Sequence, residues 1–180
     1  MSDDLQQVQV LDLPLHEREA GALPLIERLT RGESLPAAGA SLPLSQVQLR
    51  APIPRPRRNI FCVGKNYYAH AKEFAQSGFD SSAKAGTVVN DVTSRDWQNR
   101  HLQWHMGKSF DTFCPMGPWL VSADACDGTH TQVRCWVNGE LRQNASTTDL
   151  IFDIPTLIET LSAGITLYPG AILATGTPVG

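Results

Sequence analysis

A chain of 180 residues can bury a core of its own, and its composition, 42% hydrophobic and 18% charged, is that of an ordinary globular protein. A formal net charge of −3 argues against a broad nucleic-acid or anionic-membrane surface. No apolar run approaches the roughly 20 residues of a membrane span, and the acidic start Met1-Ser2-Asp3-Asp4 lacks the apolar stretch of a secretory signal. The expectation is a cytoplasmic protein that engages neither nucleic acid nor membrane. Cys62, Cys114, Cys126 and Cys135 form no C-x-x-C pair, which predicts reduced, mostly buried thiols.

In chain order, Leu25, Ile26 and Leu29 fall at helical spacing over residues 24–31, with Pro24 in the first turn and Gly32 as a stop. Residues 33–57 are rich in Ser, Ala and Pro and predict an extended connector. That places a boundary between a small N-terminal region, 1–57, and a main domain, 58–180. Ile60 to Val63 predicts a buried strand ended by Gly64, and residues 66–77 predict a helix. Residues 78–87 are too rich in Gly, Ser and Ala to supply a core. Val88 and Val89 predict a strand leading into Asp91, and residues 94–104 predict a helix.

Further on, Val133, Cys135 and Val137 alternate with polar neighbours except at Trp136, and Asn138-Gly139 is a strong hairpin signal, with residues 141–145 returning. A helix over 155–163 has Pro155 near its start and Gly164 past its end. Pro169-Gly170 predicts a turn before a short strand, Ala171 to Ala174. The pattern is α+β, with more sheet than helix.

Several residues could carry chemistry. His70 and Glu73 share a face of the predicted 66–77 helix at i, i+3, and a carboxylate beside an imidazole suits a general base. Without context such a pair reads as a solvated helix face. Asp91, at a strand end, has the chemistry of a hard-cation ligand. Arg95 offers a planar fork for a carboxylate and Gln98 an amide, again at i, i+3. A sheltered Lys108 could hold an oxygen on which negative charge develops. His101 and His105 have i, i+4 spacing but lack the Glu of a zincin motif, so a zinc protein built on them and the cysteines is a weak third reading.

Four blocks carry a resemblance: residues 62–73 (CVGKNYYAHAKE), 90–98 (NDVTSRDWQ), 108–119 (KSFDTFCPMGPW) and 175–178 (TGTP). In this order they resemble the fumarylacetoacetate hydrolase family, over most of 58–180. The resemblance implies a mixed β-roll or β-sandwich of that family's C-terminal domain type. It implies a homodimeric, magnesium-dependent enzyme (Mn2+ or Ca2+ in its place) of the catabolism of aromatic compounds. Its chemistry would be hydrolysis of a carbon–carbon bond in an acylpyruvate-type 2-oxo or 1,3-dioxo acid through an enolate, with lyase and isomerase relatives. By matching positions, His70, Glu73 and Lys108 would be catalytic. Tyr67, Arg95, Gln98 and Thr177 would contact substrate, and Asp91 would hold the metal.

The same resemblance sets up a shortfall. Between Glu73 and Asp91 the family carries several tens of residues more, with a Glu-x-Glu metal pair; here that stretch holds Asp80 and no Glu. The family also continues past the last block. The expectation is therefore a domain lacking an internal segment and C-terminal strands. Two readings follow: a magnesium hydrolase, or a non-catalytic relative serving as an interaction module.

Overall fold

The structure, a computed structural model, describes residues 6–67, 85–101 and 104–179. The N-terminal region is more ordered than an extended connector. Strand β1 (Gln7–Leu11) pairs antiparallel with β2 (Ala38–Pro43), Val8 opposite Leu42 and Gln9 opposite Ser41, with a register shift before Leu11. Between them lie two helices, α1 (Leu15–Glu19) and α2 (Leu23–Thr30). Helix α2 agrees with the predicted 24–31, whereas β2 corrects the expectation for 33–57. Ala38-Gly39-Ala40-Ser41 has little strand propensity of its own; the β1 ladder organises it.

The main region begins with β3 (Phe61–Cys62), which pairs in parallel with the last strand, β8 (Leu173–Ala174). Phe61 N–H donates to Ile172 O at 3.0 Å and Val63 N–H to Ala174 O at 2.9 Å. The predicted strand is real but shorter, and it is not buried: Phe61 is half-buried and Cys62 exposed. The predicted 66–77 helix lies outside the described residues beyond Tyr67. Strand β4 (Ala85–Gly86) pairs antiparallel with β5 (Val121–Ser122). Val88 and Val89 do not form the expected strand; Val89 makes a single antiparallel bridge to Met116.

Helix α3 (Arg95–His101) is followed by a 3-10 turn, Trp104–Lys108. The hairpin is as predicted: β6 (Gln132–Val137) and β7 (Glu140–Ser146) pair antiparallel, and both turn residues have positive φ, Asn138 at 51° and Gly139 at 83°. That is the backbone an Asn-Gly turn of this kind requires. Helix α4 (Ile154–Ser162) starts at Asp153, whose carboxylate accepts from Thr156 N–H at 2.9 Å, with proline in the first turn.

The described strands form four separate two-stranded sheets and close no barrel. The buried apolar residues are correspondingly few: Leu13, Leu23, Ile53, Tyr67, Leu150 and Leu157. No helix among the described residues is long and apolar enough to cross a membrane.

Candidate functional site

Two clusters form, joined by β3. The first is a clamp around Asn66, just past the end of β3. Its side chain is fully buried. Nδ2 donates to Phe152 O at 2.9 Å and to Thr175 O at 2.8 Å, while Oδ1 accepts from Phe152 N–H at 2.8 Å. Its backbone oxygen accepts from Ile151 N–H at 2.9 Å. Three distant segments are thus tied to one amide: the start of the 62–73 block, the turn before α4, and the 175–178 block.

Tyr67 follows, buried and bridged antiparallel to Leu150. Burial, with Asp149 adding to it, pushes its phenol up from the ordinary range. Gly176 fits beside Asn66 because it has no side chain: a Cβ there would lie 2.9 Å from Asn66 Cβ, and its φ is +119°. Thr177 Oγ1 accepts from Gln143 Nε2 at 3.0 Å, and the same amide donates to Pro178 O at 2.8 Å. Gln143, on β7, has no motif that points to it.

The second cluster is ionic. Lys108 Nζ donates to Asp91 Oδ2 and, at 3.0 Å, to Thr93 Oγ1; Thr93 Oγ1 donates to Asp91 O at 3.1 Å. Lys108 is carried by the 3-10 turn, and Gly107 seats that turn on α3. Ser94 N–H donates to Gly107 O at 2.8 Å, and a Cβ on Gly107 would meet Gln98 N and Ser94 O, each at 2.9 Å. Asp91 is placed by the extended run before α3, where Asn90 N–H donates to Pro115 O at 3.0 Å. On α3, Arg95 Nη1 donates to the buried Gln98 Oε1 at 2.8 Å. Gln98 therefore holds the guanidinium of Arg95 through its amide oxygen.

Cys62 and Cys114 border this ion pair. Partial loss of hydration at the sulfur raises both thiols above their ordinary range, even though the Cys62 residue as a whole is exposed; the Asp91 carboxylate raises them further, and Lys108 opposes it. The expectation of mostly buried thiols is corrected: all four cysteines are free, Cys62 and Cys126 are exposed, and Cys114 and Cys135 are half-buried. A thiol whose folded pKa is raised adds stability at low pH and loses it as pH climbs. The free energy of unfolding should therefore fall as pH rises past about 8.5, where unfolded thiols ionise first. Urea midpoints taken at about pH 7.5 and about pH 9.5 check this. A Cys62→Ser/Cys114→Ser chain should show a shallower fall, and equal slopes in the two chains would refute the thiol origin.

The structure thus brings Asp91 to Lys108, Arg95 to Gln98, and Tyr67 to the segment that carries Thr177. His70 and Glu73 lie outside the described residues, as does Asp80. Magnesium takes about six oxygen ligands in near-octahedral geometry. Among the described residues no three His, Cys, Asp or Glu side chains come together to hold an ion. Asp91, the carboxylate assigned to the metal, already faces an ammonium. The described donor set does not fit a magnesium cage.

Residues 84–180 match the family model for the fumarylacetoacetate hydrolase C-terminal domain. The chain belongs to the fumarylacetoacetate hydrolase family. It is 40% identical to the oxaloacetate tautomerase YisK of Bacillus subtilis over 76% of this chain and 64% of that protein. It therefore spans just under two thirds of that relative's length. This match runs over 192 positions, more than 76% of 180 residues can fill, so the relative carries residues within the matched span that this chain lacks. The expected internal shortfall agrees with that.

Among solved structures, the fumarylacetoacetate hydrolase of Exiguobacterium antarcticum superposes with a TM-score of 0.70 at 31% identity, over 87% of this chain and 76% of that one. The maleylpyruvate hydrolase of Sphingobium sp. SYK-6, in complex with manganese(II) and pyruvate, gives 0.59 at 32% identity, over 88% and 72%. The expected domain type is therefore the observed one, and family members include tautomerases, isomerases and hydrolases.

Proposed function

We propose that the 58–180 region belongs to an enzyme acting on a small 2-oxo acid through an enolate, and that Lys108 is the charge that stabilises it. The observation that carries this reading is the half-buried Lys108 ammonium, held on Asp91 and Thr93 in the block that matches the family most closely. An ammonium sheltered from water offsets charge on an enolate oxygen more strongly than one in solution. Arg95, aimed by Gln98, forks the substrate carboxylate, and the Thr177 hydroxyl, oriented by Gln143, adds a neutral contact. His70 and Glu73 move the proton. A divalent cation such as Mg2+ would add Lewis acidity where the donors for it are complete.

Tautomerisation needs one proton removed from carbon and one placed on oxygen. Hydrolysis of a carbon–carbon bond needs an activated water as well. Oxaloacetate tautomerisation, the activity named for the Bacillus subtilis relative, is the first to test, and acylpyruvate cleavage the second. Decay of the enol absorbance of oxaloacetate should be faster with the chain than in buffer. Lys108→Met should lower kcat/KM about 100-fold or more, and His70→Ala about 100- to 10,000-fold. A folded chain with no turnover on either substrate would sink the reading. The rival, a non-catalytic family relative, would then lead; the missing Glu-x-Glu is what favours it.

A further inference from the structure

We infer that Gln143 is a positioning residue: its amide engages the Thr177 hydroxyl oxygen as an acceptor and so leaves the hydroxyl hydrogen for an acceptor oxygen of the ligand, a carboxylate or 2-oxo oxygen. That Thr177 meets a ligand rests on the function proposed above; the polarity of its hydrogen bond with Gln143 does not.

The polarity follows from Pro178. A carbonyl oxygen can only accept, so the end of the Gln143 side chain that lies 2.8 Å from Pro178 O is the amide nitrogen. The same nitrogen lies 3.0 Å from Thr177 Oγ1, and an amide nitrogen only donates. Its two hydrogens are therefore divided between these two oxygens, and Thr177 accepts. A hydroxyl that accepts still has one hydrogen to give. The acceptor the loop itself offers, Pro178 O, is 3.5 Å away and already takes the amide, so it is a poor one. A ligand oxygen is a better one.

The hydroxyl oxygen is also held in place. Thr177 precedes a proline, which restricts its backbone to extended conformations, and Pro178 is buried. From the other side, Asn66 Nδ2 holds Thr175 O at 2.8 Å, and Gly176 lies against the Asn66 side chain. Gln143 reaches the loop from β7, where it sits opposite Cys135 of β6. Two amides from distant parts of the chain thus pin the 175–178 loop. What stays adjustable at Thr177 is the direction of its hydroxyl hydrogen, and Gln143 bars that hydrogen from its own side.

The first test needs no ligand. In an isotope-labelled chain, Thr177→Val should shift the NMR signal of one of the two Gln143 amide hydrogens and leave the other, still held by Pro178 O, nearly in place. Both signals unmoved would overturn the proposal. The second test titrates pyruvate, the simplest 2-oxo acid, and follows the same signals. Thr177→Ser, which keeps the hydroxyl, should bind pyruvate as the unaltered chain does. Gln143→Leu and Thr177→Val should each bind it about threefold to tenfold more weakly, the worth of one hydrogen bond. The double variant should bind no more weakly than Thr177→Val alone, because Gln143 acts through the hydroxyl. A Gln143→Leu loss of the same factor in both backgrounds is what a merely structural role gives, and it would overturn the proposal. So would Gln143→Leu binding as tightly as the unaltered chain. No pyruvate binding by the unaltered chain, with the amide signals behaving as expected, would instead sink the proposed function, and with it the ligand role of Thr177, and would confine Gln143 to bracing the loop.

Discussion

Replacing Asn66 with leucine should lower the free energy of unfolding by about 3–5 kcal/mol, one of the largest effects a single side chain here can produce. The isosteric apolar side chain keeps the volume but strands three backbone groups that the amide satisfies: Phe152 N–H, Phe152 O and Thr175 O. A buried polar group left unpaired costs on the order of 1–3 kcal/mol, well above the net gain from making the bond. Asn66 is fully buried, so water cannot take over without opening the clamp. Asn66→Asp should also destabilise. It keeps an acceptor for Phe152 N–H but turns a second oxygen toward two carbonyls. Urea unfolding followed by circular dichroism measures both. A loss below about 1 kcal/mol for Asn66→Leu would mean the clamp is not a structural anchor.

Gly176→Ala should cost about 2–4 kcal/mol, from a backbone angle that L-residues rarely adopt and from overlap with a rigid neighbour. The φ of +119° is one cause, and the 2.9 Å approach to Asn66 Cβ is the other. Because that neighbour is the root of a fully bonded side chain, it cannot rotate away as the tip of a lysine could. The two substitutions meet at one contact, so a chain carrying both should lose less than the sum of the two losses. The same variants separate stability from chemistry. If Gly176→Ala chains that remain folded lose kcat/KM on a 2-oxo acid, the 175–178 loop positions Thr177 and does more than fill space.

What the sequence made legible follows how local the determinant is. The Asn138-Gly139 hairpin and helix α4 carry their instructions in a few adjacent residues, a turn that accepts positive φ and a cap with a proline in the first turn, and both appear where expected. Strand β2 carries none; Ala38-Gly39-Ala40-Ser41 becomes a strand because β1 lies beside it. Val88-Val89 shows the opposite failure, strong propensity with no continuous partner ladder, leaving one bridge to Met116. At the site, the resemblance pointed to Asp91 and Lys108 separately, one toward a metal and one toward catalysis. That they neutralise each other across 17 residues is a fact of tertiary geometry. Gln143 was invisible for the same reason, as was the part played by Asn66: a buried amide is defined by what surrounds it, and no spacing rule encodes that.

The Asn66 clamp also bears on how such a chain is made. Asn66 is bonded to Thr175, 109 residues later, and among the described strands β3 pairs with β8, near the far end of the sequence. Contacts this distant in sequence demand that a long loop be closed before anything is gained, so they form late. During synthesis on a ribosome, β3 emerges early and waits with its ladder groups bare, while the β6–β7 hairpin folds as it appears. The Asn66 clamp then exists only in chains translated through the Thr-Gly-Thr-Pro block, and a prematurely terminated product lacks the bond that ties Asn66 to Thr175.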